Sequence, residues 1–237
     1  MKRLNAAMLL AVTAVAGVAA EPDREPPGAD IEGTYLFADV IRQTTGQNVI
    51  PFNPESDAHR AILAKLSEAA RNAARAAREA MIDKARANEV GNAVEPLVIQ
   101  ALNAAGLKAA RPKTASGRTA AAGYPDVELE SDPPCYLELK TFNARTASSS
   151  QRTFYYSPSE TSKVTREALH LLLAFEMEQL EVSGRTIWAP VRFKITSLHA
   201  VAVQLKVEYN QSNRGLYAKE HLLADETLAD SAPPPPR

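Results

Sequence analysis

The feature that most limits what this chain can fold into is the stretch from Tyr124 to Thr141, Y-P-D-V-E-L-E-S-D-P-P-C-Y-L-E-L-K-T. Apolar and polar residues alternate through Val127-Glu128-Leu129-Glu130 and again through Tyr136-Leu137-Glu138-Leu139-Lys140, which is the period of a strand with one buried face. Ser131-Asp132-Pro133-Pro134 between them has turn chemistry, because proline presets φ and an acidic side chain can bond the nearby backbone. A β-hairpin is predicted. Side chains two apart share a face, so Asp126, Glu128 and Glu130 line one side of the first strand, and Glu138 and Lys140 one side of the second. A turn that keeps the strands in even register sets Asp126 across from Glu138 or Lys140. Carboxylates side by side repel unless something positive lies between them, and hard divalent cations such as Mg²⁺ take oxygen ligands of this kind. A lysine on that face is placed to hold or activate a water beside the metal. The competing reading is an ordinary amphipathic hairpin whose charged face is solvated.

Pro125-Asp126, followed after a short hairpin by Glu138-Leu139-Lys140, resembles the active-site signature of the PD-(D/E)xK nucleases, the restriction-endonuclease-like superfamily. The signature is short, and its weight comes from the hairpin that carries it. It covers the hairpin closely and the helices on either side more loosely. The resemblance implies an α/β fold, a mixed central β-sheet flanked by α-helices with a helical N-terminal part. It implies a metal-dependent endonuclease, first of the type II restriction kind acting on double-stranded DNA. A repair or nicking enzyme is the second choice, because E-L-K-T also resembles the mismatch-repair nickases. Mg²⁺, with Mn²⁺ as a possible substitute, is then bound by Asp126, Glu138 and the Leu139 carbonyl, with Lys140 positioning the attacking water. A homodimer matched to a palindromic site is implied as well. Nucleases of this kind often carry another glutamate on the helix before the hairpin. Glu95 is the candidate and Glu89 the reserve, although the helix macrodipole alone favours a glutamate near a helix start.

Lys and Arg number 27 against 28 Asp and Glu, a net charge of −1, so nucleic-acid binding has to rest on local patches. Lys108, Arg111, Lys113 and Arg118 lie in a small, basic, acid-free stretch before the hairpin, expected to be a mobile loop whose charges close on phosphates. Thr141 to Gln151 is expected to be a second loop, with Arg145 and then Arg152 as phosphate clamps. Arg152 to Tyr156 follows as a short strand offering Tyr155 or Tyr156 to bases, although aromatics at strand spacing are more often core. The lone Cys135 excludes an intramolecular disulfide and a cysteine zinc site.

Two long amphipathic helices precede the hairpin. Ser56 to Ala87 carries an apolar stripe through Ile62, Leu66, Ala70, Ala73, Ala77 and Met81, with Arg71, Arg75 and Arg78 on another side, most simply a solvated face. The second helix runs through Val98, Ala101 and Leu102 to Gly106, with Pro96 kinking it or starting its main part. A shorter helix is expected around Tyr35 to Gln43. After the hairpin, Val164 to Val182 is apolar nearly all round and reads as a buried helix, with Lys163 at its N-terminus placed to meet a phosphate. His170 inside it reads as a core residue. Strand patterns follow at Ile187 to Ile195 and His199 to Tyr209.

Met1-Lys2-Arg3, the apolar run Ala6 to Val18 and Ala19-Ala20 have the order of a secretory signal peptide over residues 1–20. The run is too short and alanine-rich for a stable membrane span. Residues 21–30 form a proline-rich linker, 31–222 a single nuclease-like domain, and 223–237 a disordered Pro-rich tail. The leader implies a periplasmic or secreted protein, and a misassigned start or a retained leader implies a cytoplasmic one. Export also leaves open a non-enzymatic binding protein.

Overall fold

A 15-residue strand, Ala168–Val182, runs through the middle of the computed structural model where the sequence predicts a helix. The correction has a physical cause. A strand buried on both faces between paired neighbours shows no alternation, and its apolar run is indistinguishable by periodicity from a buried helix. Leu169, Leu171, Leu173 and Phe175 are buried on one face and His170 and Ala174 on the other. Ser183 and Gly184, both at positive φ, then turn the chain directly back. Two consecutive residues in that region are the requirement of the tight hairpin turn whose twist matches its strands.

The structure describes residues 33–84, 87–119, 123–146, 156, 161–204, 214 and 217–224. One compact unit spans Thr34–Gln204, and a second consists of Met1–Gly33 with Leu205–Arg237. The leader, the linker, the prolines of the tail, Arg152 and Tyr155 lie outside the described residues. Among the described residues no helix is long and apolar enough to cross a membrane.

The first unit is α/β. Its elements are β1 (Thr34–Leu36), α1 (Phe37–Thr45), β2 (Val49–Ile50), α2 (Asp57–Glu79), α3 (Ala87–Ala104), β3 (Lys108–Ala110), β4 (Val127–Glu130), β5 (Cys135–Asn143), β6 (Ala168–Val182), β7 (Arg185–Ser197) and β8 (Ala202–Gln204). The main sheet is six-stranded in the order β2-β6-β5-β4-β3, with β7 pairing β6 beyond the short β2. It is mixed: β5 and β2 run parallel to β6, while β7 and the β3-β4-β5 ladder are antiparallel. β1 and β8 form a separate antiparallel pair.

Three further expectations shift. The basic stretch after α3 is partly ordered, because β3 adds to the hairpin with Lys108 opposite Glu130 and Ala110 opposite Glu128. The expected strand from His199 begins only at Ala202 and is described to Gln204. The first helix sits two residues later than predicted, ending at Gly46, whose φ of 72° lets its N–H reach the Arg42 carbonyl at 2.9 Å.

The long helix stops at Glu79, well short of Ala87. Ser56 caps its start by accepting from the His59 N–H at 3.4 Å. Beyond its end, the Ile82 carbonyl accepts from the Trp188 N–H at 2.8 Å and the Lys84 carbonyl from the Trp188 indole at 3.0 Å. Those bonds tie the connection to β7. α2 and α3 cover one sheet face, burying Ile62, Leu66, Ala73, Val98 and Leu102 against Leu137, Leu169, Leu171 and Leu173. Truncating any of the fully buried leucines to alanine costs about 2–5 kcal/mol. On the other face α1 packs Phe37 and Ile41 with Tyr124, Tyr136 and Leu198.

Candidate active site

The ladder of the hairpin decides which charged residues meet. Val127 is opposite Leu137, Glu128 opposite Tyr136 and Leu129 opposite Cys135. One step further the same register sets Asp126 across from Glu138. An Asp126 Oδ2 atom accepts from the Leu139 N–H at 2.8 Å, which pins the carboxylate at the mouth of the hairpin just before β4 begins. Leu169 donates to the Pro134 carbonyl at 2.9 Å, so the even-numbered backbone groups of β5 serve β6 and the odd-numbered ones face β4. The Leu139 carbonyl therefore projects toward the Asp126 side, beyond the start of β4.

Glu138 is only 4% exposed. Its Oε1 accepts from Lys140 Nζ at 2.5 Å, and its Oε2 is buried with no hydrogen-bond partner. Burial, then the neighbouring Asp126 charge, raise its pKa from 4.5 to about 7, against the lowering pull of Lys140. Asp126 is raised by burial too, opposed by the Leu139 N–H and Lys140 and reinforced by Glu95. Two desolvated carboxylates thus face one another, with Lys140 bonded to one of them, Lys163 close enough to act on both, and one oxygen lone. A buried carboxylate oxygen without a partner is costly to keep.

Glu95 stands at the edge of this site. It is near enough to raise Asp126, and its Oε1 accepts from Arg111 Nε at 2.7 Å. Glu89 is exposed on the same helix. Lys108 pairs loosely with Glu130 at 3.7 Å on the surface. Lys113 and Arg118 are exposed in the turn after β3. Arg145 follows β5 and lines a cavity of about 220 Å³ with Asn143, Glu178 and Gln179. Arg71, Arg75 and Arg78 border a groove of about 400 Å³, where Arg78 is held by the Pro190 carbonyl at 2.7 and 3.0 Å. Tyr156 packs inward, its hydroxyl 2.8 Å from Thr44 Oγ1 and its ring against Tyr124.

Lys163 is placed differently from the expectation, because there is no helix for it to begin. It is 4% exposed, and its Nζ donates to the Gly123 carbonyl at 2.6 Å and the Pro125 carbonyl at 3.0 Å. The lysine thus clamps the segment that delivers Asp126. Burial lowers its pKa, while Asp126, Glu138 and Glu95 act to raise it. No local pattern in the sequence distinguishes such a clamp from a surface lysine, since its partners lie about forty positions earlier.

The profile of the type II restriction enzyme MjaV family matches residues 32–220. The chain belongs to that family. A type II restriction enzyme of Methanocaldococcus jannaschii, MjaV, is 35% identical over 210 residues, covering 81% of this chain and 89% of that enzyme. No solved structure matches. Membership in the MjaV family makes the chain a restriction-type DNA endonuclease, in line with the first reading of the hairpin and against a non-enzymatic binder. In this MjaV-family protein the match takes in β1 through β8.

Proposed function

We propose that the chain is a divalent-cation-dependent nuclease of the PD-(D/E)xK type that hydrolyses phosphodiester bonds of double-stranded DNA at the Asp126–Glu138–Lys140 site. The observation that carries the proposal is the buried, unpartnered Glu138 Oε2, on a carboxyl close enough to Asp126 for its charge to act on it. An apolar hairpin face has no use for that atom, and a hard cation does. Among the described residues no three His, Cys, Asp or Glu side chains cluster to hold an ion by themselves. The donor set is therefore two carboxylates and the Leu139 carbonyl, with water and substrate oxygens completing it. All are hard oxygens, which suits Mg²⁺, with Mn²⁺ as a substitute.

A bound cation would supply charge stabilisation for the pentacovalent phosphorus and a lowered pKa for the attacking water. The chain's own residues do the rest. Leu139 N–H and the Lys163 clamp hold Asp126 in place. Lys140, bonded to Glu138, stands where it can orient a water and balance the charge of the two acids. Glu95, already held by Arg111, adds negative charge at the rim and is not assigned as a direct ligand. The nucleic-acid contacts expected of Lys108, Arg111, Lys113, Arg118, Arg145 and Arg152 remain part of this proposal, and Lys163 leaves that set. Cutting both strands of a palindromic site calls for two such centres, so the working unit is proposed to be a homodimer.

The test uses purified protein and plasmid. Cleavage with Mg²⁺ should vanish in chelator and in Lys140→Ala, while the variant still binds duplex DNA in a gel-shift assay. Cleavage that persists in chelator, or at the parental rate in Lys140→Ala, would sink the proposal.

A further inference from the structure

Parallel and antiparallel partners in a sheet point their side chains to the same face, so the registers extend the catalytic face across two more strands. Lys140 on β5 is level with Ala174 on β6, and Ala174 with Lys194 on β7. The next row is Phe142, Glu176 and Arg192. Adjacent strands lie about 4.8 Å apart, so the Cα atoms of Lys140 and Lys194 are separated by about 10 Å across the small Ala174.

The second row is organised around one carboxylate. Glu176, with its side chain only 15% exposed, has its Oε2 atom 3.9 Å from Arg192 Nε and 3.9 Å from Lys194 Nζ. Lys194 Nζ also lies 5.1 Å from the centre of the Phe142 ring. The two cations remain 68% and 50% exposed. Glu176 thus steadies two basic side chains without neutralising them, and the cluster keeps a surplus positive charge turned outward. α1 covers the beginning of β6 on this face through Phe37 and Ile41, while Lys140, Lys194 and Arg192 lie past that cover.

We propose that Arg192 and Lys194, held by Glu176, form a DNA-backbone contact next to the catalytic row, each meeting a phosphate of the duplex being cut. The proposal rests on the catalytic reading of Glu138 and Lys140 for its direction. A duplex whose scissile phosphate approaches Lys140 has its neighbouring phosphates over this platform, and long polyanions gain affinity from fixed cations by releasing condensed counterions. Backbone contacts of this kind position the duplex and carry no sequence information.

The experiment measures binding without catalysis. Equilibrium binding of a fluorescein-labelled DNA duplex of arbitrary sequence is followed in EDTA across a salt series, for the parent, Arg192→Gln/Lys194→Gln, each single variant, and a charge-matched control, Arg60→Gln/Lys65→Gln on α2. The double variant should lower the magnitude of the slope of log K against log salt by about 1.8, and each single variant by about half of that. The control should leave the slope in place. An unchanged slope in the double variant, or an equal loss in the control, would overturn the proposal. Thermal unfolding of each variant is measured alongside, and the single variants carry the test if the double one does not fold. Because metal and cleavage play no part in this measurement, its failure is separate from failure of the catalytic site, which the Lys140→Ala assay reports.

Discussion

The same sheet face has two ends that bury polar groups in opposite ways. At one end His170 is 1% exposed, with Tyr124 stacked on it at 5.7 Å and Phe37 and Tyr136 meeting it edge-on at 5.9 and 5.2 Å. Its Nδ1 is 2.5 Å from the Tyr124 hydroxyl, its Nε2 is without a hydrogen-bond partner, and burial drops its pKa to about 3. At the other end, one alternation further along β5 from Tyr136, Glu138 also has one lone buried atom, yet its neighbours are Asp126 and Lys140 and its pKa rises to about 7. An aromatic box neutralises its polar group and asks for nothing more. A box of charges leaves one carboxylate oxygen open to a cation. Both groups answer to burial, and the neighbours decide whether the result is structure or chemistry.

The comparison is broken most severely by changing the charged end. Asp126→Asn and Glu138→Gln should each reduce Mg²⁺-dependent cleavage by about 10³-fold or more, the several kcal/mol that a held cation contributes to such a transition state. DNA affinity measured in EDTA should fall by no more than a few-fold, since neither residue is a cation. Cleavage within about tenfold of the parent in either variant would remove that residue from the site. Lys163→Met comes next. It leaves two backbone carbonyls without their donor and frees the segment ahead of Asp126. Loss of a residue that orients a ligand costs about 10- to 100-fold in metal affinity, so the Mg²⁺ concentration for half-maximal cleavage should rise by about that factor. A raised requirement together with a folded variant marks Lys163 as the positioning residue, and an unchanged requirement returns it to simple packing.

How much of this the sequence discloses depends on range. The hairpin is legible because its signals are local: two alternating runs, a proline turn and an even register that sets Asp126 against Glu138. The helix stripe from Ile62 to Ala77 is legible for the same reason. β6 is not, because its all-round apolarity comes from neighbours far away in the chain. The clue available was at its end, where Ser183-Gly184 fits a two-residue hairpin turn as well as a helix stop. The same long-range origin conceals the setting of Lys163 and the row from Lys140 to Lys194, since a row across three strands exists only once their order is known. His170 is legible as a core residue even without its strand, because burial of a lone histidine needs only an apolar neighbourhood.

The smallest expected effects sharpen the contrast through pH. Glu138 has a folded pKa above its ordinary 4.5, so in metal-free protein its contribution to stability is complete below that value and is lost as pH rises through about 7. His170 has a folded pKa below its ordinary 6.5, so its contribution is present above 6.5 and is lost as pH falls through about 3. The two slopes oppose one another in the window they share. In chelator, Glu138→Gln should therefore gain stability relative to the parent as pH climbs from 4.5 toward 7, on the order of a few kcal/mol, and should be the more stable protein at pH 8 while cutting no DNA. His170→Phe should gain relative to the parent in the other direction, as pH falls below 6.5, after an initial cost of about 1–3 kcal/mol for the Tyr124 hydroxyl's lost partner. Its cleavage rate at neutral pH should stay within a few-fold of the parent. Denaturant unfolding at a series of pH values separates the two, because groups common to all three proteins cancel in the differences. Parallel profiles for Glu138→Gln and His170→Phe would mean that the two ends of the face titrate as one, and the distinction between a closed aromatic box and an unfinished charged one would fail.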